Sequence, residues 1–156
     1  MNPPPVLYVE DDDNDVLLMR RAWTWVGVEH PLQVVSDGRE ALAYLGGEGP
    51  YANRADHPLP CLVLLDLKMP KMSGLDVLRW IRSQPAHLAL RVIIFSSSKL
   101  PVDINAAHAL RIDAYVVKPG PYDEWVAMVD NLNVYRLKGS RAQGPSRCQD
   151  VRSYSS

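Results

Sequence analysis

Five short runs rich in β-favouring residues recur along the chain: "VLYV" (6–9), "LQVV" (32–35), "CLVLL" (61–65), "RVIIF" (91–95) and "AYVV" (114–117). Helical patterns separate them. Asp13 or Asn14 can cap a helix reaching about Gly27, Asp37-Gly38 opens a second through Leu45, and Ser73-Gly74 opens a third through Arg82. Residues 102–110 and 122–136 complete a set of five. Strand followed by helix, five times over, leaves few folds open. It implies an α/β fold with a mostly parallel sheet covered by helices on both faces. The strands themselves agree, because a strand buried on both faces reads as an unbroken apolar run rather than as an alternation.

Two stretches stand outside this pattern. "GGEGPYANRADHPLP" (46–60) is a Gly/Pro-rich connection longer than the usual link from helix to strand. From Gly139 onward the chain is Gly, Ser, Arg and Gln with almost nothing to bury, so residues 1–138 are expected to form one domain and 139–156 a disordered tail. A length of 156 residues suits that single domain. The net charge of -1 argues against a general nucleic-acid binder. No apolar stretch approaches the roughly 20 residues that span a bilayer, and "MNPPP" does not resemble a signal peptide. Cys61 lies in an apolar run and Cys148 in the polar tail, which is no disulfide framework. A cytoplasmic domain is expected.

The chemistry emerges when the strand ends are aligned. After Val9 come Glu10, Asp11, Asp12 and Asp13; after Leu65 comes Asp66; after Phe95 come Ser96, Ser97 and Ser98; after Val117 comes Lys118-Pro119. In an open α/β sheet the functional crevice lies beyond the carboxyl ends of the strands. Four strands therefore deliver acids, hydroxyls and one lysine to one place. Clustered carboxylates raise each other's pKa, and a divalent cation such as Mg²⁺ relieves the conflict, since it favours one or two carboxylates with water and phosphate oxygens. A carboxylate left free can act as a nucleophile toward a phosphoryl group and form an aspartyl phosphate. Mg²⁺, Lys118 and the Ser96 hydroxyl are the partners that would stabilise it.

With these residues in view, the chain resembles the response-regulator receiver domains of two-component signalling, over roughly residues 5–136. "YVEDD" resembles the acidic pair, which makes Glu10 and Asp11 metal ligands; "LLDLKMPKMSG" resembles the phosphoacceptor segment, with Asp66 as acceptor. "IIFSSS" places Ser96 at the switch hydroxyl, and "AYVVKP" places Tyr115 at the switch aromatic and Lys118 at the family's lysine. The resemblance implies a flavodoxin-like sheet of order 2-1-3-4-5 with five helices, and Mg²⁺ (or Mn²⁺) bound by Glu10, Asp11, Asp66 and the Lys68 backbone carbonyl. It also implies a sensor histidine kinase as phosphodonor. "VEDDDNDV", "GEGPYANR" and "YVVKP" narrow it to the stand-alone regulators that accompany phytochrome-type kinases. Lys68 departs from that subgroup, where Asn is common.

Taken singly, each residue has a plainer reading: Asp11 or Asp13 as a helix cap, Lys118 as a solvated lysine, Ser96 as a turn residue and Tyr115 as half-buried packing. Two other functions compete with the phosphorylation switch. One is a degenerate receiver serving as a protein-binding scaffold, against which the retained acids and Lys118 argue. The other is a Mg²⁺-dependent phosphohydrolase, which usually places an acid where this chain has Lys68. The chain is accordingly expected not to be an enzyme beyond catalysing its own phosphorylation and dephosphorylation. No DNA-binding segment follows residue 136, so output is expected through a surface, by way of an unknown downstream protein and a homodimer formed by residues 102–136. The Lys118–Pro119 bond is expected to be cis, aiming the ammonium into the crevice. Tyr115 should turn inward on phosphorylation. Lys68 and Ser98, flanking the path of an attacking water, should modulate hydrolysis, with no acid at position 98 to fix the lysine.

Overall fold

The computed structural model describes residues 2–138, so the expected tail lies outside the described residues. Its strands are β1 (Val6–Val9), β2 (Leu32–Val35), β3 (Leu62–Leu65), β4 (Val92–Ser96) and β5 (Ala114–Val117). All neighbouring pairs run parallel, in the order β2-β1-β3-β4-β5. The helices are α1 (Asp13–Val26), α2 (Gly38–Gly46), α3 (Gly74–Ser83), α4 (Pro101–Ala109) and α5 (Tyr122–Leu132). Parallel neighbours need a crossover on each connection, and the five helices supply these and divide between the two faces.

Strand periodicity decides which residue faces which layer. Leu7 and Val9 point with Val63 and Leu65 into a core closed by Ala41, Tyr44 and Leu45 of α2, Val77, Leu78 and Ile81 of α3, and Ala107 of α4. Val6 and Tyr8 point the other way, with Leu62 and Leu64, onto Met19, Ala22 and Trp23 of α1 and Trp125, Val129 and Leu132 of α5. Trp25, two residues from Trp23, falls on the opposite side of α1 and is exposed.

The helix starts are mostly where capping residues allow. Asp12, rather than Asp13 or Asn14, caps α1, its Oδ1 accepting from Asn14 N and Asp15 N at 2.8 and 3.2 Å. Asp37 caps α2, and Ser73 opens α3 with a reciprocal capping box to Asp76. α5 stops at Leu132 and continues as a π-helix over Asn133–Lys138, which accounts for the longer helical pattern in the sequence.

The 46–60 connection is a built structure. Arg54 donates from Nη1 to Tyr44 O and His57 O, and from Nη2 to Leu45 O, satisfying carbonyls at the end of α2. Tyr44, Tyr51 and His57 pack their rings together beside it. His57 is thus a packing residue.

Among the described glycines, Gly74 has the least room for a side chain. A Cβ there would overlap the carbonyl oxygen of Asp66 and lie 2.8 Å from Leu67 Cα, while Gly74 N donates to Leu67 O at 2.9 Å. The first turn of α3 is therefore laid directly on the backbone that carries Asp66. Gly74→Ala is expected to lower stability by about 1–3 kcal/mol, read as a reduced midpoint in urea unfolding; an unchanged midpoint would show that the two segments separate freely.

Candidate phosphorylation site at the strand ends

Register alone brings the acids together. Val9 pairs with Leu65 and Asp66 N donates to Val9 O at 3.2 Å, so Glu10 and Asp66 leave adjacent strands side by side. Further along the sheet, Ser96 pairs with Val117 and Lys118 N donates to Ser96 O at 2.9 Å. That bond carries Lys118 to the same edge. The crevice there has a volume of about 480 Å³ and is lined by Glu10, Asp11, Asp15, Asp66, Lys68 and Lys118 among others.

Lys118 organises it. Its Nζ lies 2.7 Å from Glu10 Oε1, 2.7 Å from Asp15 Oδ2 and 3.2 Å from Asp66 Oδ2. An ammonium has three protons to donate, and three carboxylates receive them. Burial works against the lysine's charge, but the hydrogen bonds to Asp15 and Glu10 and the charge of Asp66 outweigh it and hold its pKa well above the usual lysine value. Burial pushes Glu10 up to about 7, with Lys118 pulling it down and Asp66 adding to the rise. Tyr8, donating its hydroxyl to Glu10 Oε1 at 3.2 Å, is driven upward by burial and by the Glu10 charge, and so remains a donor.

Asp15 is the functional neighbour that the sequence reading missed. It sits three residues past the α1 cap, and the only signal for it was a further acid in the run that begins at Glu10. The expected cis bond is also corrected. No peptide bond among the described residues is cis, Lys118–Pro119 included. The strand pairing to Ser96 already delivers the ammonium to the crevice, so no sharp turn is needed.

Glu10, Asp11 and Asp66 each offer a carboxylate oxygen, and these oxygens lie within 4.8 Å of one another. Hard oxygen donors at this spacing fit Mg²⁺ or Mn²⁺. Asp66 is 4% exposed, and Lys68 N approaches its Oδ1 at 3.4 Å. Ser96 is fully buried, with its Oγ accepting from Ser98 N at 3.3 Å. Tyr115 is already inward: its ring is buried and its hydroxyl donates to Ser98 O at 2.8 Å. The inward turn expected only after phosphorylation is thus present in this structure, because the ring fills the core space behind β4. Position 98 offers Lys68 no acid, but α4 does. Lys68 Nζ lies 3.0 Å from Asp103 Oδ2, on α4.

This arrangement of strand-end acids, buried hydroxyl and lysine has close counterparts. The family model for the response regulator receiver domain matches residues 6–130. The chain is 32% identical over 138 residues to response regulator Rcp1 of Synechocystis sp., covering 88% of this chain and 92% of Rcp1. It superposes on the phosphorylated cyanobacterial phytochrome response regulator RcpA with a TM-score of 0.81 and 33% identity, covering 88% of this chain and 96% of RcpA. The Mn²⁺-bound form of Rcp1 gives a TM-score of 0.78 at 29% identity, covering 87% of this chain and 96% of that one. The chain belongs to the response regulator receiver domain family, with relatives among the phytochrome response regulators.

Proposed function

We propose that the protein is a phosphorylation switch in which Asp66 accepts a phosphoryl group from the histidine of a sensor kinase. The observation that carries this reading is the Asp66 carboxylate, held at the end of β3 with Oδ2 3.2 Å from Lys118 Nζ and an oxygen within 4.8 Å of Glu10 and Asp11. An Asp66 oxygen attacks phosphorus, the P–N bond to the kinase imidazole breaks, and the imidazole keeps the electron pair and takes up a proton. Lys118 turns part of its hydrogen bonding from Glu10 and Asp15 to the new phosphoryl oxygens. The Ser96 hydroxyl donates to them as well, with Tyr115 already packed inward behind it. A Mg²⁺ or Mn²⁺ ion held by Glu10, Asp11, Asp66 and the Lys68 carbonyl would neutralise the clustered negative charge. Lys68 and Ser98 border the approach of a hydrolytic water.

The kinase is of the phytochrome type in this reading, supported by the likeness to RcpA. No helix among the described residues is long and apolar enough to cross a membrane, and we place the protein in the cytoplasm with its kinase. Output passes to a downstream protein, and to a second copy, through the face of α4, β5 and α5. β5 is a sheet edge, and Leu100 and Val102 are exposed at the start of α4.

Incubation with acetyl phosphate and Mg²⁺ should add one phosphoryl group to the intact mass, and Asp66→Asn should abolish the addition; retention of the label in that variant would falsify the assignment. Lys118→Met leaves three carboxylates uncompensated, so it should cost about 3 kcal/mol in metal-free buffer. Added Mg²⁺ should recover part of that loss in calorimetry, and a variant as stable as wild type without metal would contradict the charge account. Light scattering should find a dimer whose population rises when the acceptor is phosphorylated. A monomer in both states would exclude the α4–β5–α5 face as a self-association surface.

A further inference from the structure

Asp103 lies in the first turn of α4, 8% exposed, and one of its oxygens serves two partners. Lys68 Nζ reaches Oδ2 at 3.0 Å and the Ser98 hydroxyl donates to the same atom at 2.5 Å. Ser98 is in turn the attachment point of the switch elements. Its amide donates to Ser96 Oγ at 3.3 Å, its Oγ accepts from Leu100 N at 3.3 Å, and its carbonyl accepts the Tyr115 hydroxyl at 2.8 Å. A continuous line of contacts therefore runs from the acceptor loop to β5, and Asp103 is its junction. An acid in a first helical turn needs no lysine, since the helix N-terminus already favours its charge. The extra partner, drawn from a different loop beside Asp66, is what a capping role leaves unexplained.

We propose that Asp103 is a positioning residue for the acceptor site: it holds the Lys68 ammonium off Asp66, and loses it to the phosphoryl group when that group is attached. This rests on the phosphorylation of Asp66 proposed above. Asp103 and the attached group compete for the Lys68 ammonium, which rests 3.0 Å from Asp103. A phosphoryl group carries close to two negative charges with three acceptor oxygens, against the single charge of Asp103, so it wins the competition. Asp103 is then left with Ser98 alone, in a nearly covered position, and the start of α4 readjusts together with the loop to which Tyr115 is bonded. Phosphorylation at β3 is thereby felt at α4 and β5 through Lys68 and Asp103, a path that joins the one from the Ser96 hydroxyl only at Ser98.

The test has two arms. In the first, with no phosphoryl analogue present, the backbone amide signals of Ser98, Leu100 and Asp103 are compared between wild type and Lys68→Ala. They should shift together, and unmoved signals would overturn the Lys68–Asp103 contact. In the second, beryllofluoride affinity is measured calorimetrically in Mg²⁺ for wild type, Asp103→Asn, Lys68→Ala and the double variant. Freed from Asp103, Lys68 should raise the affinity of Asp103→Asn by about two- to fivefold, the range a partly exposed ion pair carries. The gain should vanish in the Lys68→Ala background. No gain, a loss, or the same gain without Lys68 would overturn the positioning role. A wild-type protein that takes up no beryllofluoride would instead overturn the phosphorylation reading, while the first arm still reports the contact.

Discussion

Three carboxylates share one ammonium at the carboxyl edge of this sheet, and the rest of the structure is arranged so that they can. Glu10 and Asp66 arrive on neighbouring strands, Asp15 arrives on the first turn of α1, and Lys118 arrives from β5 with Nζ 2.7 to 3.2 Å from all three. Bringing such acids together without a cation would be costly, because each penalises ionisation of the next. The lysine makes the cluster tolerable in the metal-free protein and leaves Asp11 exposed at its rim. The same lysine is then in place for a phosphoryl group, whose oxygens would take over from carboxylates that a metal ion has begun to neutralise. Stability of the resting site and reactivity of the acceptor are thus served by one side chain.

The scaffold around the cluster is rigid where the chemistry needs it. β1 and β3 are buried along their whole length, and α3 is pressed onto the backbone of Asp66 through Gly74. The acceptor therefore has little freedom to move away from its partners. The loops after β3 and β4 are tied together where Lys68 and Ser98 meet on Asp103 of α4. In the proposed switch, a group attached at Asp66 would act on those loops and, through Ser98 and the Tyr115 hydroxyl bonded to it, on β5.

Much of this is legible in the sequence, for a physical reason. Strands buried on both faces must be apolar throughout, so the runs at 6–9 and 62–65 declare themselves, and the first polar residue after each marks the sheet edge. Glu10, Asp66, Ser96 and Lys118 could be placed together by that logic alone. Asp15 could not, because its role depends on α1 bringing it to Lys118 beyond the end of β5, and nothing local in "EDDDND" separates such an acid from a cap. Asp103 was hidden for the same reason: its partners Lys68 and Ser98 belong to other elements. Arg54 closes the end of α2 from a loop that reads as a plain connection. The cis bond expected at Lys118–Pro119 rests on the tolerance of X-Pro bonds, on the resemblance and on aiming the lysine, and strand pairing to Ser96 aims it without a cis bond.

The central claim is that Asp66 is the atom-level target and that Lys118 is shared between the resting acids and the incoming group. A crystal structure of the protein soaked with Mg²⁺ and beryllofluoride tests this most directly. The account predicts beryllium bonded to an Asp66 oxygen, with Lys118 Nζ within hydrogen-bond distance of a fluoride and withdrawn from Asp15 or Glu10. Beryllofluoride bound elsewhere, or bound at Asp66 with all three ion pairs of Lys118 unchanged, would contradict it.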